Sequence, residues 1–144
     1  MTIRQALKQK NKLVKEISDK TKQLHVYNSV ELGNNRPYST KKITEELEVL
    51  ISDLITLKTK IHKANEPVYH LIFEMSEWKS YIKILNNMDC TEGKSTGDRF
   101  RYDSESVKTS EISVRERDEY VKSYEDRIES IQDELDTFNA TTEI

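Results

Sequence analysis

The chain is expected to be all-α, with four long amphipathic helices folded as antiparallel coiled-coil hairpins. Three observations lead there. Apolar residues recur on a 3,4 alternation in four separate segments, the signature of a helical seam. Hydrophobic and charged residues are nearly balanced, 35% against 34%, with a mean hydropathy of -0.79, a composition normal for long amphipathic helices. And 144 residues contain only 3 Gly and 2 Pro, too few turn-formers for a β-sandwich or a Gly-rich doubly wound nucleotide fold. The length suits one helical domain spanning 1–144.

The first helix, about 3–27, opens on Thr2 with Gln5 three residues later, a capping-box pattern. Ile3, Leu7, Lys10, Val14, Ile17, Thr21 and Leu24 form its expected seam. Asn28 to Tyr38, with Gly33 and Pro37, reads as a loop. The second helix, about 40–65, carries Ile43, Leu47, Leu50, Leu54, Leu57, Ile61 and Ala64 without a break in the alternation, and Ile51 and Ile55 widen its apolar face toward a further neighbour. Asn65 is expected to end it in the left-handed conformation, just before Pro67.

The third helix, about 68–88, is the most apolar. Leu71, Met75, Trp78, Ile82 and Leu85 make its seam, while Ile72, Phe73, Tyr81 and Ile84 lie off it. A helix apolar on several sides is usually surrounded by protein, so Ile72, Trp78, Tyr81 and Ile84 are the expected interface of an even-numbered homo-oligomer. The polar linker 89–112 is either a mobile connection or a short β-hairpin marked by Phe100, Arg101, Tyr102 and Val107. The fourth helix, about 114–138, starts at a second capping box, Ser113 with Glu116, and runs through Val114, Arg117, Val121, Tyr124, Ile128, Ile131, Leu135 and Phe138, with Arg117 the one polar member. Residues 139–144 read as a polar tail.

Charge is uneven along the chain. Residues 1–65 carry net +6 and residues 89–144 net -8, within a total of -3. A basic first helix and an acidic last helix attract, so the two are expected to pack together, within or between chains. No apolar run reaches the roughly 18–20 residues needed to span a bilayer, and residues 1–12 lack a signal peptide's apolar core. The single cysteine, Cys90, has no partner for an internal disulfide, in keeping with a reducing compartment. The expectation is a soluble, cytoplasmic protein.

Several landmarks together resemble the septicolysin-like family. They are the N-terminal amphipathic helix, the loop Asn28-Ser29-Val30-Glu31-Leu32-Gly33 with Pro37, the helix end Ile61-His62-Lys63-Ala64-Asn65, and above all the ending Asn139-Ala140-Thr141-Thr142-Glu143-Ile144. Members are small helical proteins of bacteria and mobile elements and often carry Trp where this chain has Ala140. The resemblance spans nearly the whole chain and implies a helical fold. It brings no catalytic residue or cofactor, and the family's name alone suggests membrane activity.

Candidate sites are sparse. His62, Glu66, His70 and Glu74 recur every four residues, a spacing that stacks ligands on one helical face. Pro67 interrupts that face and no second cluster completes a coordination shell, so the reading is solvated surface and no metal. No Gly-x-Ser-x-Gly, Cys-x-x-Cys or phosphate-cradling Gly-rich motif occurs. No catalytic residue and no cofactor are therefore expected. Arg4, Lys8, Lys12, Lys15 and Lys22, together with Lys10 and Lys20, crowd the first helix and could neutralise phosphates. Lysines spread around a helix usually only solubilise it, no aromatic is interleaved, and the whole chain is acidic, with a pI near 5.7. The reading from sequence is a non-enzymatic oligomeric scaffold or protein-interaction module whose protein partner is unknown. The alternatives are a nucleic-acid-associated protein using the first helix and, behind it, a membrane-active protein.

Overall fold

The computed structural model describes residues 1–95 and 106–144. Among them the order is α1 (Ile3–Tyr27), α2 (Thr40–Ala64), a 3-10 turn (Glu66–Val68), α3 (Tyr69–Asn86), β1 (Gly93–Ser95), β2 (Ser106–Lys108) and α4 (Val114–Thr141). The described residues are all-α apart from the two short strands, as expected. It divides into two compact units, Met1–Tyr69 with Asp136–Ile144, and His70–Leu135.

The first unit is built on the α1–α2 hairpin. The Thr2 capping box forms in full: the Gln5 N–H donates to Thr2 Oγ1 at 3.3 Å and the Thr2 N–H donates to Gln5 Oε1 at 3.0 Å. Two of the orphan donors that every helix start presents are thereby satisfied. In the loop, Gly33 takes a positive φ of 93°, open to a residue without Cβ, and Arg36 donates to the Asn28 carbonyl at 3.1 Å. The rings of Tyr27 and Tyr38 meet across the loop at 5.3 Å. Ser39 caps α2 by accepting the Lys42 N–H.

The helix-to-helix seam corrects the sequence reading in one respect. Ile3 and Ala6 are fully buried, Leu13 packs against the cluster of Ala6, Leu57 and Ile61, and Val14 is 49% exposed. The stripe of α1 facing α2 thus runs through Ile3, Ala6, Lys10, Leu13, Ile17, Lys20, Leu24 and Tyr27, all buried or half-buried. Both registers are apolar at the Leu13-Val14 pair. Ala6 is fully buried in a cluster with Leu57 and Ile61 of α2, while Leu7 packs at its edge. On α2 the expected residues are correct: Ile43, Leu47, Leu57 and Ile61 are buried, and Leu50, Leu54 and Ala64 half-buried. Ile51 and Ile55, expected to meet a further neighbour, are 44% and 59% exposed.

Two other expectations are corrected in this unit. Asn65 ends α2 in the right-handed region, φ -83°, and among the described residues only glycines have positive φ. The chain goes straight on into the 3-10 turn, with Pro67 near its start, where a missing N–H costs nothing and the fixed φ suits a helical entry. At the other end α4 continues to Thr141, three residues past the expected limit. What reads as a polar tail is tied down: the Ile3 N–H donates to the Thr142 carbonyl and the Ile144 N–H to the Met1 carbonyl, both at 2.9 Å. Ile144 packs on the Ala6, Leu57 and Ile61 cluster.

The second unit holds α3, the strands and α4 as far as Leu135. Its core is Leu71, Leu85, Ile131 and Leu135, of which Ile131 has no solvent exposure. The end of α3 tightens, the Met88 N–H bonding the Leu85 carbonyl at 3.2 Å, so the helix stops at Asn86, two residues short of the expected boundary. The Ser113 hydroxyl accepts the Glu116 N–H at 3.1 Å at the start of α4. The hairpin alternative for the linker is the one observed: Gly93, Lys94 and Ser95 pair antiparallel with Lys108, Val107 and Ser106. Val107 is thus in a strand, whereas Phe100, Arg101 and Tyr102 lie outside the described residues.

Asp89 anchors the foot of this hairpin. It accepts the Thr91 N–H at 2.9 Å and the Thr91 hydroxyl, and its other oxygen takes the Lys108 ammonium at 3.2 Å. The Thr91 hydroxyl, then its N–H, then Lys108 hold the carboxyl down from 3.8 to about 2. A depressed carboxyl contributes stability above its unfolded pKa and loses it as pH falls through the folded one. The Thr91 amide proton shift should accordingly titrate with a midpoint near 2, and in Asp89→Asn that titration should vanish. A midpoint near 3.8 in the wild type would show that the anchor does not form.

Candidate functional site

Side chains of α3 and α4 converge around Trp78. Its ring lies 4.6 Å from that of Tyr124, and Tyr81 meets both, at 6.1 Å to Trp78 and 5.1 Å edge-on to Tyr124. Glu74, one turn before Trp78, accepts the indole N–H at 3.2 Å. The same carboxylate takes a two-pronged bond from Arg127, Nε to Oε1 at 2.8 Å and Nη2 to Oε2 at 2.9 Å. Planar guanidinium and carboxylate suit each other in this geometry, which is the stronger class of ion pair. Arg127 first and the Trp78 N–H second hold the Glu74 carboxyl below the usual carboxylate range. Glu74 and then Trp78 and Tyr81 on α3 thus meet Arg127 and then Tyr124 in the middle of α4, an antiparallel pairing set by one ion pair and three rings.

The residues expected at an oligomer interface separate into two groups. Trp78 and Tyr81 belong to this cluster; Tyr81, expected to point away from its own chain's helices, sits edge-on to Tyr124 with 36% of its surface exposed. Trp78 and Ile72 are half-buried. Ile84 is 64% exposed, as is Phe73 at 63%, and eleven residues of helix return to within about 20° of the same face. Sequence reasoning missed Tyr124 and Arg127 as partners of α3. The signal was there in part, since Tyr124 stands on the α4 seam, but nothing local pairs Arg127 with a glutamate 53 residues away.

The cations of α1 are ordered as well. At about 100° per residue, Arg4, Lys8, Lys12, Lys15 and Lys22 fall within a sector of about 80° opposite Ile17, so they do not spread around the helix. All five are exposed. Arg4 donates to the Asp136 carbonyl at 3.4 Å and Lys22 lies 3.9 Å from Asp19. Lys20 belongs to the opposite side, where it bonds Glu46 across the α1–α2 seam. That contact raises the lysine pKa and lowers the glutamate's.

The histidine and glutamate series does not assemble. His62 Nδ1 contacts the Tyr69 hydroxyl, which also donates to the His62 carbonyl at 3.0 Å, and Glu74 is engaged by Arg127 and Trp78. Among the described residues no group of three or more His, Cys, Asp or Glu could hold a metal ion. Cys90 is free and half-buried. Among the described residues no helix is long and apolar enough to cross a membrane. No protein-family model, curated protein or solved structure matches the chain.

Proposed function

We propose that the protein is a non-enzymatic helical scaffold that works in the cytoplasm by self-association, with its paired helices acting as coiled coils. The observation that carries this reading is the large apolar side chain left in water on α3, Ile84 at 64% exposure; Ile51 and Ile55 of α2 are exposed as well. At about 25 cal/mol per Å² of apolar surface, covering several such residues favours association by a few kcal/mol. An even-numbered homo-oligomer covers the same patch on both copies at once. The resemblance to septicolysin-like proteins is part of the same proposal and adds no chemistry to it. The protein partner, if one exists beyond a second copy, would meet the same apolar residues.

Light scattering at about 50 µM tests the reading. Wild type should run at a multiple of 16.9 kDa. Ile84→Glu should lower the mass and leave helicity intact, because its side chain takes little part in the monomer's core. A monomeric wild type would overturn self-association.

A further inference from the structure

The outer face of α1 carries a straight line of positive charge that the scaffold reading does not use. The stripe opposite the α2 seam consists of Met1, Arg4, Lys8, Lys12, Lys15, Asp19, Lys22 and Val26, successive residues three or four apart. It holds five cations and one carboxylate. From Arg4 to Lys22 it is about 27 Å long at 1.5 Å per residue. Lys8, Lys12 and Lys15 sit at its centre, exposed and in no ion pair among the described residues. The one acid on the stripe, Asp19, stands beside Lys22, and the Asp136 carbonyl takes Arg4. Solubility alone needs no such order, because lysines scattered around the helix would serve it equally.

We propose that this ridge binds the phosphate backbone of duplex nucleic acid, without reading its sequence. A duplex presents about one negative charge per 1.7 Å of axis, so a rigid rod of cations finds phosphates along its whole length. The stripe has no aromatic side chain and no Asn or Gln to pair with an adenine edge; its cations suit phosphates in any sequence. Single strands are held largely by stacking on aromatic side chains, which leaves the duplex backbone as the matching surface. The chain's net charge of -3 does not oppose this, because at physiological salt charges more than about 8 Å away are largely screened and the field at the ridge is set by its own lysines. The inference is independent of self-association through α3.

The test is fluorescence anisotropy of the full chain with a labelled 24-base-pair duplex of random sequence, titrated at several salt concentrations. The logarithm of the binding constant should fall against that of salt with a slope of about -2.7 to -4.5, reflecting three to five phosphate contacts at about 0.9 each. The triple variant Lys8→Gln, Lys12→Gln, Lys15→Gln should bind at least tenfold more weakly at 50 mM salt and lose most of that slope, with unchanged circular dichroism since glutamine is a good helix former. A second triple, Lys79→Gln, Lys83→Gln, Lys122→Gln, removes the same charge elsewhere and should bind like wild type. Absence of duplex binding below 100 µM would overturn the proposal, as would equal losses in the two triples. Tighter binding to single strands, or to phosphatidylserine vesicles than to duplex, would overturn it too.

Discussion

Ile131→Ala should destabilise the protein by roughly 3 kcal/mol, within the 2–5 kcal/mol typical of removing a buried Leu, Ile or Met side chain. Ile131 has no exposed surface, and the only other fully buried residues of large volume among those described is Ile3, in the first unit. The core of the second unit is small, with Leu71, Leu85 and Leu135 as the other buried members. So few side chains cannot close over the space left behind. Against a total stability of about 5–15 kcal/mol the loss is large, and for a region of this size it corresponds to a midpoint lowered by about 10–20 °C. Urea unfolding followed through Trp78, the protein's only tryptophan, reads it directly. Tyr120→Ala, at a side chain 50% exposed on the same helix, should shift the curve by well under 1 kcal/mol. If the two variants behaved alike, Ile131 would not be a packed core residue.

How far the sequence carries such statements varies along the chain. The four helices and the seams of α2, α3 and α4 were legible because apolar residues at 3,4 spacing leave few alternatives. Thr2 with Gln5 located the start of α1, and Ser113 that of α4. The register of α1 was not legible to one residue: Leu13 and Val14 are adjacent and both apolar, and only the packing of Leu13 on the cluster of Ala6, Leu57 and Ile61 makes it the more covered of the two. Lys20 misled in the same way. It reads as a charge on a basic helix, yet it occupies a seam position because Glu46 receives it from the facing helix. The segment 139–144 looked like a tail because a polar sequence says nothing about backbone pairing, and its bonds to Met1 and Ile3 come from opposite ends of the chain. The outer cation stripe was recoverable from the sequence, since it needs only the helical period. The number of lysines does not show it; their positions on the helical wheel do.

Tyr124→Ala should have the second-largest effect and a distinct spectroscopic signature. The ring of Tyr124 lies 4.6 Å from Trp78 and meets Tyr81 edge-on at 5.1 Å, and such aromatic pairs contribute about 0.5–1.5 kcal/mol each beyond the area they bury. With the lost burial of a half-buried ring the total should reach roughly 2–4 kcal/mol. Because Trp78 loses its covering ring, its emission in the folded protein should move to longer wavelength, whereas Ile131→Ala should leave that emission nearly unchanged. Tyr124→Phe keeps both ring contacts and should keep the wild-type spectrum. The indole is also held from its other side by Glu74, itself fixed by Arg127, so the ion pair and the rings share Trp78 as a common member. Removing Glu74 and Tyr124 together should therefore cost measurably less or more than the two single losses added, since neighbours with a shared partner couple by about 0.5–3 kcal/mol. Strict additivity in that double-mutant cycle, or an unshifted emission in Tyr124→Ala, would mean that the ring stack and the Glu74 fork are independent contacts and that Trp78 does not join them.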